Sequence, residues 1–431
     1  MKKLSCVISA PVDTYSGYGK RSADFVKALI KAKPDWDVLV LPQRWGNTRF
    51  GYLKDHGDVE ITPRVIQNLT YQPDIWVQIT VPNEFKKVGK YNIGVTAGIE
   101  TTLCHQSWIE GCNNMDLVLV SSNHAKKVFE DTNYEFQDNA TGQIVKRLKL
   151  NTKVEVLFEG IDLGIFFPIE KPLKEKSEIE QVLDSIPEYQ CFLTVGHWLP
   201  GEVGEDRKNI GYTVKTFLET FKNNVSPPAL ILKVQAGSGT SIIDRDNLFD
   251  RIENIRKSVK GTLPNIYLLH GDLSETDMNL LYNHPKVFAM VSLTKGEGYG
   301  RPLLEFSLCN KPVIASAWSG HLDFLDSSFV KLVGGTLTPV HPSAQVQDMI
   351  LGIAKWFSPD PVEIGRAYKD LIKNSSDWKT KAKRQGYKSR TEFSFDKMSE
   401  KLGQLLDQNM PQIPTQVELK LPPLKKLTPI S

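Results

Sequence analysis

Two separate series of short apolar runs, alternating with stretches of helical spacing, constrain this chain more than any other feature. In the first series, residues 4–9, 38–41, 75–79, 93–96, 117–121 and 154–158 are four to six residues long and mostly apolar. Runs of that length and continuity suit strands buried on both faces of a parallel sheet. Residues 15–20 read as a glycine-containing loop, and residues 22–33 place Phe25, Val26, Leu29 and Ile30 at helical spacing. Another helical stretch covers 125–131. A second series follows at 191–195, 230–234, 266–269, 287–293 and 312–316. Parallel strands need helical crossovers, so the fold class is α/β, with two doubly wound Rossmann-like domains. Such sheets bind ligands at the carboxyl ends of their strands, so the two should share a cleft there.

The 431 residues suffice for two cores. Between residues 170 and 188 the composition turns charged and proline-flanked, which suggests a linker. The expected division is a first domain over 1–170 and a second over 188–375, with 376–410 returning as a helix to the first. Residues 378–390 are rich in Lys and Arg and read as a solvated helix face. Residues 411–431 are proline-rich and basic, an extended tail.

Lys and Arg total 53 against 50 Asp and Glu, a net charge of +3, without the basic footprint of a dedicated nucleic-acid binder. Five cysteines, with no Cys-x-x-Cys pair, fit neither a disulfide framework nor a zinc site and point to a reducing, cytoplasmic setting. The run after Met1-Lys2-Lys3 is broken at Pro11 and Asp13 and reads as a first strand, not a leader. No apolar stretch approaches the ~20 residues that span a bilayer. The Asn-x-Ser/Thr matches at Asn68, Asn139, Asn224 and Asn374 then carry no glycan. Two Asp-x-Asp strings, Asp35-Trp36-Asp37 and Asp244-Arg245-Asp246, read as surface carboxylates, and no metal is implied.

The chemistry concentrates in Lys295-Gly296-Glu297-Gly298-Tyr299-Gly300-Arg301-Pro302-Leu303-Leu304-Glu305, between a strand and a helix whose first turn holds the proline. Gly298 and Gly300 let the backbone approach a ligand, and the free amides of the helix start attract anions such as a diphosphate. Glu297 can accept hydrogen bonds from sugar hydroxyls, and Glu305 from the vicinal hydroxyls of a ribose.

Glu297 and Glu305, with seven residues between them, resemble the glutamate pair of the family 4 retaining glycosyltransferases, which have the GT-B fold. The residues around them, the following Cys309-Asn310-Lys311-Pro312-Val313-Ile314-Ala315 and Ser319-Gly320 are similar to that family too. Arg207-Lys208-Asn209, after Thr194-Val195-Gly196, matches its basic pair for the donor diphosphate. His197 stands where the family has an arginine, so Arg207 or His197 is the second candidate beside Lys208. A cation pair ahead of a helix N-terminus also points by itself to an anionic partner. Ser16-Gly17-Tyr18-Gly19 resembles the family's phosphate loop and lacks a full Gly-x-Gly-x-x-Gly fingerprint. Glu100, in Gly98-Ile99-Glu100-Thr101, lies where members place a histidine or acid opposite the donor sugar; a helix-capping carboxylate is the plainer alternative. Residues 156–168 and Phe393-Ser394-Phe395 resemble the family's crossings between domains.

The resemblance implies a UDP- or GDP-sugar donor, held by Gly17, Gly19, His197, Arg207, Lys208, Glu297, Gly298, Tyr299, Gly300 and Glu305. Glu297, Lys208 and Glu100 are the catalytic candidates. It also implies transfer with retention, without a cofactor or an obligatory side-chain nucleophile. The protein would position the reactants and stabilise the leaving diphosphate through Lys208, the helix start before Leu303 and the Gly17 amide. The acceptor expected is a glycan or glycolipid. The alternative is a modified DNA base flanked by the basic stretches 146–149 and 379–390. A non-catalytic nucleotide-binding protein, a dinucleotide oxidoreductase, a phosphorylase and an epimerase-like enzyme are the rival classes.

Overall fold

A computed structural model describes residues 3–138, 140–170, 176–237 and 240–412. Asn139 and the tail from residue 413 onward lie outside the described residues, as do 171–175 of the expected linker.

The first half contains strands β1 (Ser5–Ala10), β2 (Asp37–Pro42), β3 (Ile75–Ile79), β4 (Tyr91–Thr96), β5 (Leu117–Val120), a hairpin of β6 (Tyr134–Gln137) and β7 (Ile144–Leu148), and β8 (Lys153–Val156). Helices α1 (Gly17–Ala32), α2 (Tyr52–His56), α3 (Gln106–Asn113) and α4 (Asn123–Asp131) lie between them. The second half begins with α5 (Glu178–Asp184). It continues through β9 (Cys191–His197), α6 (Ile210–Phe221), β10 (Ala229–Gln235), α7 (Ile242–Ser258), β11 (Ile266–Leu268), α8 (Glu275–Asn283), β12 (Val287–Ser292), α9 (Arg301–Leu308) and β13 (Val313–Ser316). Strands β14 (Lys331–Val333), β15 (Gly335–Pro339) and β16 (Lys355–Pro359) precede α10 (Pro361–Lys373), α11 (Ser375–Glu392) and α12 (Phe395–Asn409).

Both main sheets are six-stranded and wholly parallel, ordered β2-β1-β3-β4-β5-β8 and β11-β10-β9-β12-β13-β14. Strand order reverses between β1 and β3 in the first and between β9 and β12 in the second. At such a switch point neighbouring connections diverge and leave a crevice at the carboxyl edge.

Helix α1 starts at Gly17, five residues before the expected helix, so its first turn replaces much of the expected loop. Glycine's poor helix propensity is overridden here by Ser16, whose Oγ accepts the Gly19 N–H at 2.9 Å as an N-cap. A side chain at Gly19 would lie 2.3 Å from the Thr14 carbonyl oxygen, so the tight entry demands glycine. The expected linker is likewise partly helical. Ser177 and Glu180 form a capping box at the start of α5, and Ile179 and Leu183 join the core around Cys191 and Leu193. Strands β14, β15 and β16 were not legible in the apolar pattern, since β15 is largely exposed and β14 is three residues long.

The chain crosses between the halves twice. The Ile161 N–H donates to the Phe393 carbonyl at 3.1 Å, and the Phe395 N–H to that of Ile161 at 2.8 Å. Helix α12 then returns to α1, where Met398, Leu402, Leu405 and Leu406 share a core with Phe25, Val26 and Leu29. Leu402 is fully buried there. Leu402→Ala should therefore cost about 2–5 kcal/mol, read as a lowered denaturant midpoint. A change below ~1 kcal/mol would contradict the role given to the returning helix.

Candidate functional site

The loop after β12 and the loop after β9 are tied to each other by backbone. The Lys295 N–H donates to the Arg207 carbonyl at 2.8 Å, and Asn209 Nδ2 to that of Leu293 at 3.0 Å. Asn209 has φ 58°, a left-handed conformation asparagine tolerates, and its N–H donates to Asp206 Oδ1 at 2.8 Å. Burial pushes Asp206 up to about 6. Glu297 is braced from both sides: its N–H donates to Ser319 Oγ at 2.9 Å, and its carbonyl accepts the Gly320 N–H at 3.0 Å.

These supports hold a chain of four alternating charges. Lys208 Nζ lies 2.6 Å from Glu297 Oε1, and an Arg207 nitrogen lies 3.4 Å from Oε2. The other end of the same guanidinium reaches Glu100 Oε1 at 3.2 Å. Burial alone would raise the Glu297 carboxyl, but Lys208 and Arg207 outweigh it and hold it down at about 2. The structure thus brings together Glu297, Lys208, Arg207 and Glu100. The anion that the basic pair faces is Glu297 itself.

Glu100 comes from the loop after β4, and the two halves touch where it arrives. A side chain at Gly296 would lie 2.1 Å from the Glu100 carbonyl oxygen, and one at Gly298 would lie 2.6 Å from that of Ala97. Ser122 Oγ donates to the Gly298 carbonyl at 2.6 Å. The glycines therefore serve a close approach of backbones between the halves.

The remaining candidates are placed less centrally. Glu305 is buried on α9, where Arg301 Nε lies 2.9 Å from its Oε1 and the Tyr282 hydroxyl donates to its Oε2 at 3.3 Å. Burial raises its pKa despite the arginine. The Tyr299 ring packs into the core against Phe324. Gly300, with φ 96°, caps α9. His197 ends β9, half-buried, with Nε2 donating to the Ala236 carbonyl at 2.9 Å. Gly17 opens α1 with free space where a side chain would stand. In the Asp-x-Asp strings, Asp35 and Asp37 are exposed, but Asp244 is not a surface carboxylate. It is buried, takes the Ala236 and Gly237 N–H groups and pairs with His270 at 2.9 Å. Of the basic stretch 146–149, Lys146 and Arg147 pair with Glu110 and Glu135 at 3.5 and 2.9 Å.

Sequence reasoning missed a group at the contact between halves. Asn123, from the start of α4, donates its N–H and its Nδ2 to Asp323 Oδ2 at 2.8 and 3.1 Å. The next residue, His124, packs edge-on against Trp318 with 4.7 Å between ring centroids. His321 is fully buried, its Nε2 donating to the Ser316 carbonyl at 2.7 Å. A serine ahead of the helical stretch 125–131 is an N-cap residue type, and Ser122 is the one signal among them that could have been read.

No protein-family model matches the chain, and no curated protein does. Many solved structures are similar in fold. Sucrose-phosphate synthase from Thermosynechococcus elongatus aligns at TM-score 0.61 and 13% identity, over 94% of this chain and 99% of that one. A glycosyltransferase from Rickettsia africae aligns at 0.60 and 12%, over 96% and 100%. HepE from Anabaena, solved with UDP and glucose, aligns at 0.57 and 13%, over 94% and 100%. At such identities the likeness concerns architecture. The chain has the GT-B fold, two facing Rossmann-like sheets with the last helix returned to the first.

Burial pushes His124 down to about 4, with His321 adding to the effect, and His284 and His321 are lowered by burial as well. These imidazoles take protons near their ordinary value, about 6.5, only when the chain unfolds. Stability should be full above that value and fall as pH drops towards 4. His124→Phe removes one of these groups. Its melting temperature should stay near the parent's at pH 8, and its loss between about pH 7 and 5 should be smaller. Parallel melting curves for the two proteins across that range would refute this role for His124.

Proposed function

We propose that this chain is a retaining glycosyltransferase that moves a sugar from a nucleotide-sugar to an acceptor hydroxyl, the acceptor being a glycan or glycolipid. The observation that carries the reading is Glu297, held between Lys208 and Arg207 where the switch-point edges of two Rossmann-like sheets face each other. A nucleotide diphosphate is the ligand that two adjacent cations and a helix start suit. In this reading the diphosphate takes over Lys208 and Arg207, and Glu297, released from them, accepts hydrogen bonds from the donor sugar. Glu305 receives the ribose hydroxyls. The amides of Gly298 to Gly300 and the Gly17 N–H line the phosphate path.

Catalysis then rests on charge already in place. As the glycosidic bond breaks, negative charge grows on the leaving phosphate, and fixed cations stabilise it without reorganising. The incoming hydroxyl approaches from the same face of the sugar, which preserves the anomeric configuration. Glu100 faces the reacting carbon from the opposite half and orients sugar or acceptor. Glu297 is assigned orientation, not nucleophilic attack. UDP-linked sugars are the donors to test first, since HepE was solved with UDP, and GDP-linked sugars second.

Glu297→Gln and Lys208→Ala should each lower transfer from the cognate nucleotide-sugar by roughly 100-fold or more while the protein stays folded, with a melting temperature below the parent's because a buried partner is left unpaired. Nuclear magnetic resonance of the product should show the donor's anomeric configuration kept. Full turnover in either folded variant, or an inverted product, would overturn the assignment.

A further inference from the structure

Residues 43–57, between β2 and the middle of the first sheet, form a platform that the mechanism above does not use. They leave the carboxyl edge of β2 and are pinned onto the loop after β1. The Gly51 N–H donates to the Asp13 carbonyl at 2.8 Å, the Leu53 N–H to Asp13 Oδ1 at 2.6 Å, and the Tyr15 N–H to the Arg49 carbonyl at 3.0 Å. Trp45 stacks on Tyr18, with centroids 3.8 Å apart and planes 18° from parallel. The Tyr18 hydroxyl accepts the Ala97 N–H at 3.0 Å, at the start of the loop that carries Glu100. The platform is thus joined to the acceptor side of the charge chain.

Its free chemistry is narrow. Phe50 and Tyr52 remain 38% and 37% exposed, although water is a poor surrounding for either ring. Arg44 lies over Phe50 at 5.2 Å, and neither Arg44 nor Lys54 has an acidic partner among the described residues. The nearby carboxylates are already engaged: Asp13 by Leu53, and Asp55 by the Tyr15 hydroxyl at 2.6 Å and by Arg49. The Tyr52 ring is itself packed edge-on against Tyr15 at 5.1 Å and tilted on His56 at 4.5 Å, so what is left for a ligand is the exposed parts of two rings and two cations.

Resting on the transferase reading, we infer that Phe50, Tyr52, Arg44 and Lys54 form an acceptor subsite for a saccharide whose ring carries an anionic group, phosphate or carboxylate. The C–H face of the sugar ring meets the negative face of an aromatic ring, and the anion meets Arg44 and Lys54. A nucleic acid fits less well: the chain's net charge is only +3, and Lys146 and Arg147 are neutralised by Glu110 and Glu135.

The test uses the full chain, saturated with UDP or GDP, on an array of neutral, phosphorylated and uronic-acid glycans with a single-stranded oligonucleotide beside them. Binding should be confined to the anionic glycans. It should weaken by about tenfold or more in Arg44→Ala/Lys54→Ala and in Tyr52→Ala, while nucleotide affinity stays within about twofold. Equal capture of neutral glycans, capture of the oligonucleotide alone, indifference to the substitutions, or no glycan capture with nucleotide binding intact would each overturn the subsite only. A parent chain that binds neither nucleotide would fail the transferase reading, and the subsite with it.

Discussion

The removal of one carboxylate from water organises the facing edges of the two sheets. Glu297 is only 8% exposed, and an ionised carboxylate in that position is costly unless opposite charge and hydrogen-bond donors surround it. Lys208 and Arg207 supply the charge, yet both must themselves be held, and the backbone bonds between the loops after β9 and β12 hold them. Arg207 is shared with Glu100, so the chain runs acid, base, acid, base and sums to zero. Removing any one member would leave an uncompensated charge in a poorly solvated place. An anionic ligand that took over these cations would have to supply hydrogen-bond donors to Glu297, because the carboxylate's charge stays in the site.

That balance depends on how closely the halves approach. Glu100 can reach Arg207 only because the backbone of its loop lies against Gly296 and Gly298, where any side chain would overlap a carbonyl oxygen. The glycine pattern in the loop therefore has two physical readings that coincide at the same residues. One is room for a ligand and the other is room for the opposite half. Ser122 and Asn123 add the bonds to Gly298 and Asp323 that fix this approach.

Much of the architecture was legible because buried parallel strands are written as continuous apolar runs, and eleven of the twelve strands of the main sheets overlap such a run in the order expected. The eleventh run, ending at Ser316, is followed by β14, whose three residues are too few to carry a pattern. The start of α1 was hidden because Gly17 and Gly19 argue against a helix locally, whereas the Ser16 cap and the contact with Thr14 decide for it. Asp244 looked solvated because its neighbours Arg245 and Asp246 are; its partners are Ala236, Gly237 and His270, of which His270 is 26 residues away. In the site, the residue types of Glu297, Lys208, Arg207 and Glu100 were readable, but their pairing was not. Asp323 became visible only with the contact between halves, since a residue that acts across a contact leaves no periodic mark, and the sequence around Ser319 did not show that its hydroxyl takes the Glu297 N–H.

The first turns of α1 extend the coupling beyond the charge chain. Lys20 reaches Glu275 at 3.0 Å, Arg21 reaches Glu159 at 3.1 Å, and Asp24 reaches Arg301 at 2.7 Å. Arg301 is also the partner of Glu305, so one guanidinium joins α1 of the first half to the carboxylate that would receive a ribose. On the transferase reading, a nucleotide that engages Glu305 changes what Arg301 can offer Asp24. By reciprocity, whatever shifts the α1 contact changes nucleotide affinity by the same factor. Arg301 and Asp24 are each about 15% exposed, too buried for water to replace either partner cheaply. On that reading, donor occupancy and the setting of the two halves are bound to a common pair of residues, Asp24 and Arg301.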